Sequence, residues 1–371
     1  MIYLTHYRTA STANVELMDD VVYPQKVHWF PETYSRVKSG LFYPPHSVAD
    51  KVLDPNLLKF LVENPSKKTA FILAAGNSQM AGLGHKPSPT NRLSYIYKFM
   101  PLTLTQVYAG RIAQSCGKID SVTTDSSACA SSLKIMMDVQ NLINYYDFDR
   151  VIVLSVEDGV SNLVLEFFGE TKASLTEKQE QSGIKPSAFD SVNFGFRLGQ
   201  GAAFAVFESS DFVEFQKIKP QAQLIGAYTA SEHSTNVLGQ QEDGEGFIKA
   251  MKGAIDYGKI NIKDIRIIKT HGTGTVSNNK AEKNALNNTL SNFVATSYKQ
   301  KIGHTMGTSG LLETLLLLDD IKYGIIPCIE NRTEVDNIFL STPISAPEGL
   351  IMSLSAGMGN VYSAAIFKNL Q

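Results

Sequence analysis

A chain of 371 residues, with 34 basic and 36 acidic side chains and a formal charge of −2, can bury one or two sizeable cores and shows no basic block. That balance argues against a nucleic-acid partner. Hydrophobic residues at 43% and charged residues at 19% exclude a disordered chain, and three cysteines (Cys116, Cys129, Cys328) exclude a disulfide framework and point to a reducing compartment.

The opening residues, MIYLTHYRTA, lack the charged head, apolar stretch and small-residue cleavage site of a secretory leader, so a cytoplasmic setting is expected. From Asp19 to Pro45 the chain is rich in aromatics and prolines and reads as irregular but packed. Short β-branched runs between polar or turn residues predict buried strands over Thr69–Leu73, Val151–Val156, Ala202–Phe207, Leu224–Thr229, Ile265–Thr270, Ile351–Ser355 and Val361–Phe367. Helices are predicted over Ala128–Tyr145, Gly246–Ile255 and Ser309–Tyr323, the first apolar on most sides and therefore buried. Phe168–Asp190 is polar and reads as a surface excursion, a cap or a dimer loop. Phe212–Pro220 reads as a connector between two halves. No apolar stretch approaches the roughly 18 residues that span a bilayer. Strands alternating with helices imply an α/β fold with covered sheets.

Three stretches could carry chemistry. Cys129, in TTDSSACASSL, has small neighbours and precedes an apolar helix. Free N–H groups and the helix dipole there favour a thiolate, and the small neighbours leave room for an acylated sulfur. The plainer reading is a buried cysteine packing as a small hydrophobe. His271, in KTHGTGT, ends a β-rich run, where α/β folds keep their sites, and Thr273 and Thr275 offer hydroxyls; a simple turn is the alternative. His304, in KQKIGHTMGTSGLLE, lies between Lys299 and Glu313. A carboxylate inside such an apolar helix is costly unless paired, and Lys299 is the obvious candidate partner. One cysteine and two histidines fit a thiol nucleophile with two hydrogen-bond donors. No CxxC or HxxxH spacing suggests a metal, and the glycine turns HGTG and AGMGN lack the full dinucleotide fingerprint.

In these segments, taken in order, the sequence resembles the β-ketoacyl synthases, the condensing enzymes of fatty-acid and polyketide synthesis. TTDSSACASS resembles their nucleophile motif, and FDSVNFGFRLGQGAA their Phe-Asp-x-x-Arg-Asp-Gly-Phe stretch. KTHGTGT and KQKIGHTMGTSGLLE are similar to their two histidine motifs. The resemblance implies an α/β, thiolase-like, five-layer αβαβα fold of two duplicated halves. Residues 1–215 would carry the nucleophile and 216–371 the histidines. It implies catalytic roles for Cys129, His271, His304, Lys299 and Glu313, and an oxyanion hole from the backbone N–H groups of Cys129 and Met358. Thr273, Thr275 and Met358 would meet the substrate.

No bound cofactor is implied, because substrates ride on the phosphopantetheine of an acyl carrier protein. The implied reaction is decarboxylative condensation of a Cys-bound acyl group with malonyl-acyl carrier protein, in a specialised fatty-acid, polyene or polyketide pathway. The alternatives are an acyltransferase or starter-specific variant, or a chain-length-determining partner subunit. A homodimer, or a heterodimer with a related chain, is expected. Several positions depart from the family pattern: Asn193-Phe194 for Arg-Asp, Gln200 for Glu, Asn279 for Asp, and Met358 where a gating aromatic normally stands.

Overall fold

The computed structural model describes residues 1–12, 18–19, 26–27, 47–76, 104–158, 162–171 and 173–371. The expectation for Asp19–Pro45 lies outside them, apart from a short pairing of Met18–Asp19 with Lys26–Val27. Ten strands among the described residues form the main sheet: β1 (Ile2–Ser11), β2 (Thr69–Ala74), β3 (Ser121–Asp125), β4 (Arg150–Glu157), β5 (Gly201–Ser209), β6 (Ala222–Ser231), β7 (Ile265–Lys269), β8 (Val294–Thr296), β9 (Leu350–Gly357) and β10 (Val361–Asn369). The helices are α1 (Pro55–Glu63), α2 (Thr105–Ala113), α3 (Ser131–Tyr145), α4 (Asn162–Glu170), α5 (Glu177–Gln181), α6 (Ser210–Gln216), α7 (Glu245–Gly258), α8 (Val276–Thr289), α9 (Lys299–Ile302) and α10 (Ser309–Lys322).

The strand order shows a repeat that no tandem motif reveals. It runs β3-β2-β4-β5-β1-β6-β10-β9-β7-β8. Read outward from the middle, the first five strands go 1-5-4-2-3 and the last five 6-10-9-7-8, the same order shifted by five. Directions repeat as well. β5 is antiparallel to β1 and β4, and β2 is parallel to β4 and β3. β10 is antiparallel to β6 and β9, and β7 is parallel to β9 and β8. The blocks join where Ile2, Tyr3 and Leu4 pair with Leu224, Gln223 and Ala222.

Strand side chains alternate between two apolar layers, as a sheet covered on both faces requires. In β4, Val151 and Val153 face a central core, while Ile152, Leu154 and Val156 face an outer one. The central core holds α3 and α10, with Leu133, Met136, Leu311 and Leu315. These helices touch closely: a Cβ on Gly310 would lie 2.7 Å from that of Leu133, and the Leu311 N–H donates to Ser132 Oγ at 3.0 Å. Helices α7 and α8 cover the second block through Phe247, Met251 and Leu286, while α1 and α2 cover the first through Leu57, Leu61, Tyr108 and Ile112. Helix, sheet, helix pair, sheet and helix make the five layers expected of a thiolase-like fold.

Three expectations change. Phe168–Asp190 is a surface excursion only over its middle: Glu177, Lys178, Gln181, Gly183 and Lys185 are exposed, whereas Phe168, Leu175, Ser187 and Ala188 are buried and anchor it at either end. Glu177, Lys178 and Glu180 sit on α5, between apolar anchors too sparse to give a period. Phe212–Pro220 contains a helix, α6, whose Phe212 and Val213 are buried. The helix predicted from Ala128 starts as a 3-10 turn, Ala128–Ala130, and becomes α-helical at Ser131.

Candidate active site

Two equivalent turns build the site. After β3 the chain passes through Ala128, whose φ of +48° lies in the left-handed region that a side chain disfavours. The turn is braced by its serines. The Ser127 N–H donates to Ser131 Oγ at 2.8 Å, and Ser131 Oγ donates to Ala128 O at 2.7 Å. Cys129 follows, buried, one turn before α3. After β8 the second block repeats the device: Met306 has φ +44°, a 3-10 turn follows, and Ser309 opens α10. His304 precedes that turn.

The His304 ring is held from behind. Its Nδ1 accepts the Met306 N–H at 3.2 Å and lies 3.0 Å from Ser309 Oγ. With Nδ1 an acceptor, the neutral ring carries its proton on Nε2. The Phe196 ring meets it edge-on at 4.9 Å. His271 sits on the loop after β7. Its backbone N–H and that of Gly272 donate to the buried Glu282 carboxylate at 2.5 and 2.9 Å. The two imidazoles stand 5.9 Å apart, centre to centre, at 81°.

Cys129, His271, His304, Thr273, Thr275 and Met358 all line one cavity of about 520 Å³. Thr273 and Thr275 hydroxyls are 3.1 Å apart. Met358 follows Gly357, where a Cβ would lie 2.6 Å from Ser127 O and 3.1 Å from the Ala130 nitrogen. Only glycine lets that strand end lie against the cysteine turn. Phe194 lines the cavity, whereas Asn193 accepts the Lys185 N–H and donates to Asn331 O, a bracing role. Gln200 is buried and donates to Asp158 O at 3.3 Å. Phe189 N–H donates to Asn279 Oδ1 at 3.2 Å.

Lys299 and Glu313 do not line the cavity. They lie behind it, both fully buried, with Lys299 Nζ donating to Glu313 Oε1 at 2.8 Å. A second ammonium, that of Lys269, reaches Oε2 at 3.3 Å. Glu313→Ala would leave two buried ammoniums without their carboxylate, and is expected to cost about 3–5 kcal/mol of unfolding free energy. Chemical denaturation measures it; a loss below about 1 kcal/mol would contradict the pairing.

Burial, reinforced by Lys299, holds both imidazoles well below the usual histidine range, so they are neutral. Cys129 differs from expectation. Burial pushes its thiol up to about 12, with Lys299 opposing and Glu157 adding to the rise. The short 3-10 turn places the sulfur in a dry wall, and desolvation outweighs the favourable charge. The site is thus a neutral thiol facing two neutral rings. Such a set can accept an acyl group and donate hydrogen bonds to a developing oxyanion. Among the described residues no cluster of three or more His, Cys, Asp or Glu side chains could hold a metal ion.

Sequence reasoning missed Lys269, Glu157 and Ser309. Lys269 ends the apolar strand IRIIK, and the cost that flagged Glu313 applies equally to an ammonium there. Glu157, at the end of β4, accepts the N–H groups of Gly76 and Gly307 at 3.0 and 3.2 Å, tying both blocks behind the cysteine. Nothing local marks Ser309.

Family models for the β-ketoacyl synthase N-terminal domain and C-terminal domain match residues 56–211 and 221–332, together well over half the chain. The chain belongs to the β-ketoacyl synthase family. It therefore belongs among the acyltransferases that form carbon–carbon bonds. A 3-oxoacyl-[acyl-carrier-protein] synthase 2 of Staphylococcus aureus (strain COL) is 23% identical over 282 residues, 74% of this chain and 67% of the relative. One of that name from Rhizobium meliloti (strain 1021) is 27% identical over 252 residues, 66% of this chain and 58% of the relative. Among solved structures, a type II PKS acyl-carrier protein in complex with its ketosynthase superposes with a TM-score of 0.81 at 17% identity, covering 100% of this chain and 99% of that one. A ketosynthase in complex with its chain length factor from Xenorhabdus doucetiae gives 0.76 at 18% identity, covering 99% and 98%. These superpositions speak to the fold. No helix among the described residues is long and apolar enough to cross a membrane.

Proposed function

We propose that the chain is a decarboxylating β-ketoacyl synthase acting on acyl groups carried by an acyl carrier protein. One observation carries the reading: a thiol and two neutral imidazoles, brought from both blocks, line a single cavity. Cys129 Sγ attacks the carrier thioester, and the thiol proton leaves with the departing carrier sulfur. The backbone N–H groups of Cys129 and Met358 meet the oxyanion, each such donor contributing about 3 kcal/mol. A malonyl thioester then enters, its arm held by Thr273 and Thr275. As carbon dioxide leaves, the thioester oxygen becomes an enolate, and His271 and His304 donate to it from Nε2. Their bonds strengthen as charge grows, so they favour the transition state over bound substrate. The enolate carbon forms the new bond to the acyl carbonyl, and the Cys129 sulfur leaves.

The division falls between residues 215 and 216, with the cysteine in the first half and the histidines in the second. The two blocks of identical strand order support this. No cofactor is required. The partners are an acyl carrier protein and either a second copy or a related chain, supported by what structural relatives hold. The cytoplasm is the compartment that suits a buried free thiol. Transfer without elongation is the second reading, favoured by Met358, a flexible thioether where the family pattern that this turn resembles has an aromatic. Release of labelled carbon dioxide from malonyl carrier protein, with a β-ketoacyl product, is the expected result. Acylation of Cys129 with no release would leave transfer alone.

A further inference from the structure

Lys269 is wholly buried at the end of β7, two residues before His271. Its Nζ lies 3.3 Å from Glu313 Oε2 and donates to Leu354 O at 2.8 Å. Leu354 is on β9, the strand that ends at the Met358 turn. One ammonium therefore ties the end of β7, which leads into the His271 loop, to β9, which leads into the Met358 turn, while gripping a carboxylate that Lys299 already shares. A single lysine would neutralise Glu313. Lys269 and Lys299 both act on the two rings as positive charge in a dry interior, with Glu282 the second carboxylate acting on Lys269, behind rings that face a growing negative charge. The surrounding charged and titratable groups are Glu313 on α10, Lys299 on α9, Glu282 on α8 and the two imidazoles. Glu282 is engaged by the N–H groups of His271 and Gly272 and by the Asn278 amide.

We propose that Lys269 is a positioning residue for the decarboxylation step: its ammonium locks Glu313 and Lys299 behind the histidines and supplies a buried positive charge that favours the enolate. The proposal rests on the ketosynthase reading. Both imidazoles are lowered partly by Lys269, which keeps them neutral donors. Burial pulls Lys269 itself down to about 8, with Glu313 opposing and Lys299 assisting. The sign follows. Below that pH the ammonium is charged and the step is supported; as pH rises through about 8 the charge is lost and the step slows.

The test is single-turnover release of labelled carbon dioxide from malonyl carrier protein by enzyme already acylated on Cys129, so that thiol ionisation drops out of the profile. The wild type is expected to show an alkaline fall centred near pH 8. Lys269→Met should be at least about tenfold slower at pH 7 and flat with pH, while Lys269→Arg should move the fall to higher pH. A wild-type profile flat to high pH overturns the role of Lys269 whether or not the variants fold. So does an unchanged alkaline fall in Lys269→Met, which would mark a purely structural residue. No release from the wild type at any pH overturns the ketosynthase reading and this proposal with it.

Discussion

Cys129→Ser is expected to lose acyl transfer by about 10³-fold or more and to show no covalent adduct by mass spectrometry after incubation with an acyl carrier thioester. A hydroxyl keeps the shape of the turn that Ser127 and Ser131 brace, so loss of activity should come with little loss of stability. The pH dependence separates this thiol from an activated one. With the thiol pushed up to about 12, the thiolate fraction rises about tenfold per pH unit across the neutral range. Alkylation of Cys129 should climb with pH and show no plateau below pH 9; a plateau near neutrality would mean that the turn, not burial, governs the sulfur. A high thiol pKa does not defeat the chemistry. Burial penalises the transient thiolate but not the neutral thioester, so it lowers the tendency of the acyl-enzyme to release its sulfur before the second substrate arrives.

His304→Ala and His271→Ala should each slow carbon dioxide release by about 10²–10³-fold, and slow acylation of Cys129 far less. The difference arises because the imidazoles meet the malonyl oxygen, not the sulfur. A rapid-quench comparison of adduct formation and carbon dioxide release makes the distinction. Equal losses in both steps would mean that the histidines serve the thiol. Both rings stay neutral well below pH 6.5, so the decarboxylation profile should carry no acid limb at that pH. A limb there would reveal a ring that ionises, contrary to its burial.

Much of the fold is legible along the chain because the signals are local. β2, β4 and β9 are mainly apolar runs, and their burial on both faces follows from covering helices. β1 escaped notice because its pairing register shifts between Leu4 and His6, which breaks the two-residue alternation. α8 escaped because VSNNKAEKNALNNT buries only Ala281, Ala285 and Leu286 among its apolar residues, too weak a stripe to read. The duplication was invisible as sequence similarity because strand order and direction constrain topology, not residue identity.

The chain alone specified which side chains have chemistry to offer: a cysteine among small residues, two histidines in glycine turns, and a carboxylate too costly to bury alone. Folding decided the rest. It brought Cys129 and Met358 together through Gly357, set the His304 proton on Nε2 through the Met306 amide, and paired Glu313 with a second lysine from β7. It also reversed the expected state of the sulfur. Motifs record nearest neighbours in sequence, whereas desolvation and Coulomb energy depend on every group within several ångströms in space, and those neighbours exist only once the sheets have closed around the central helices.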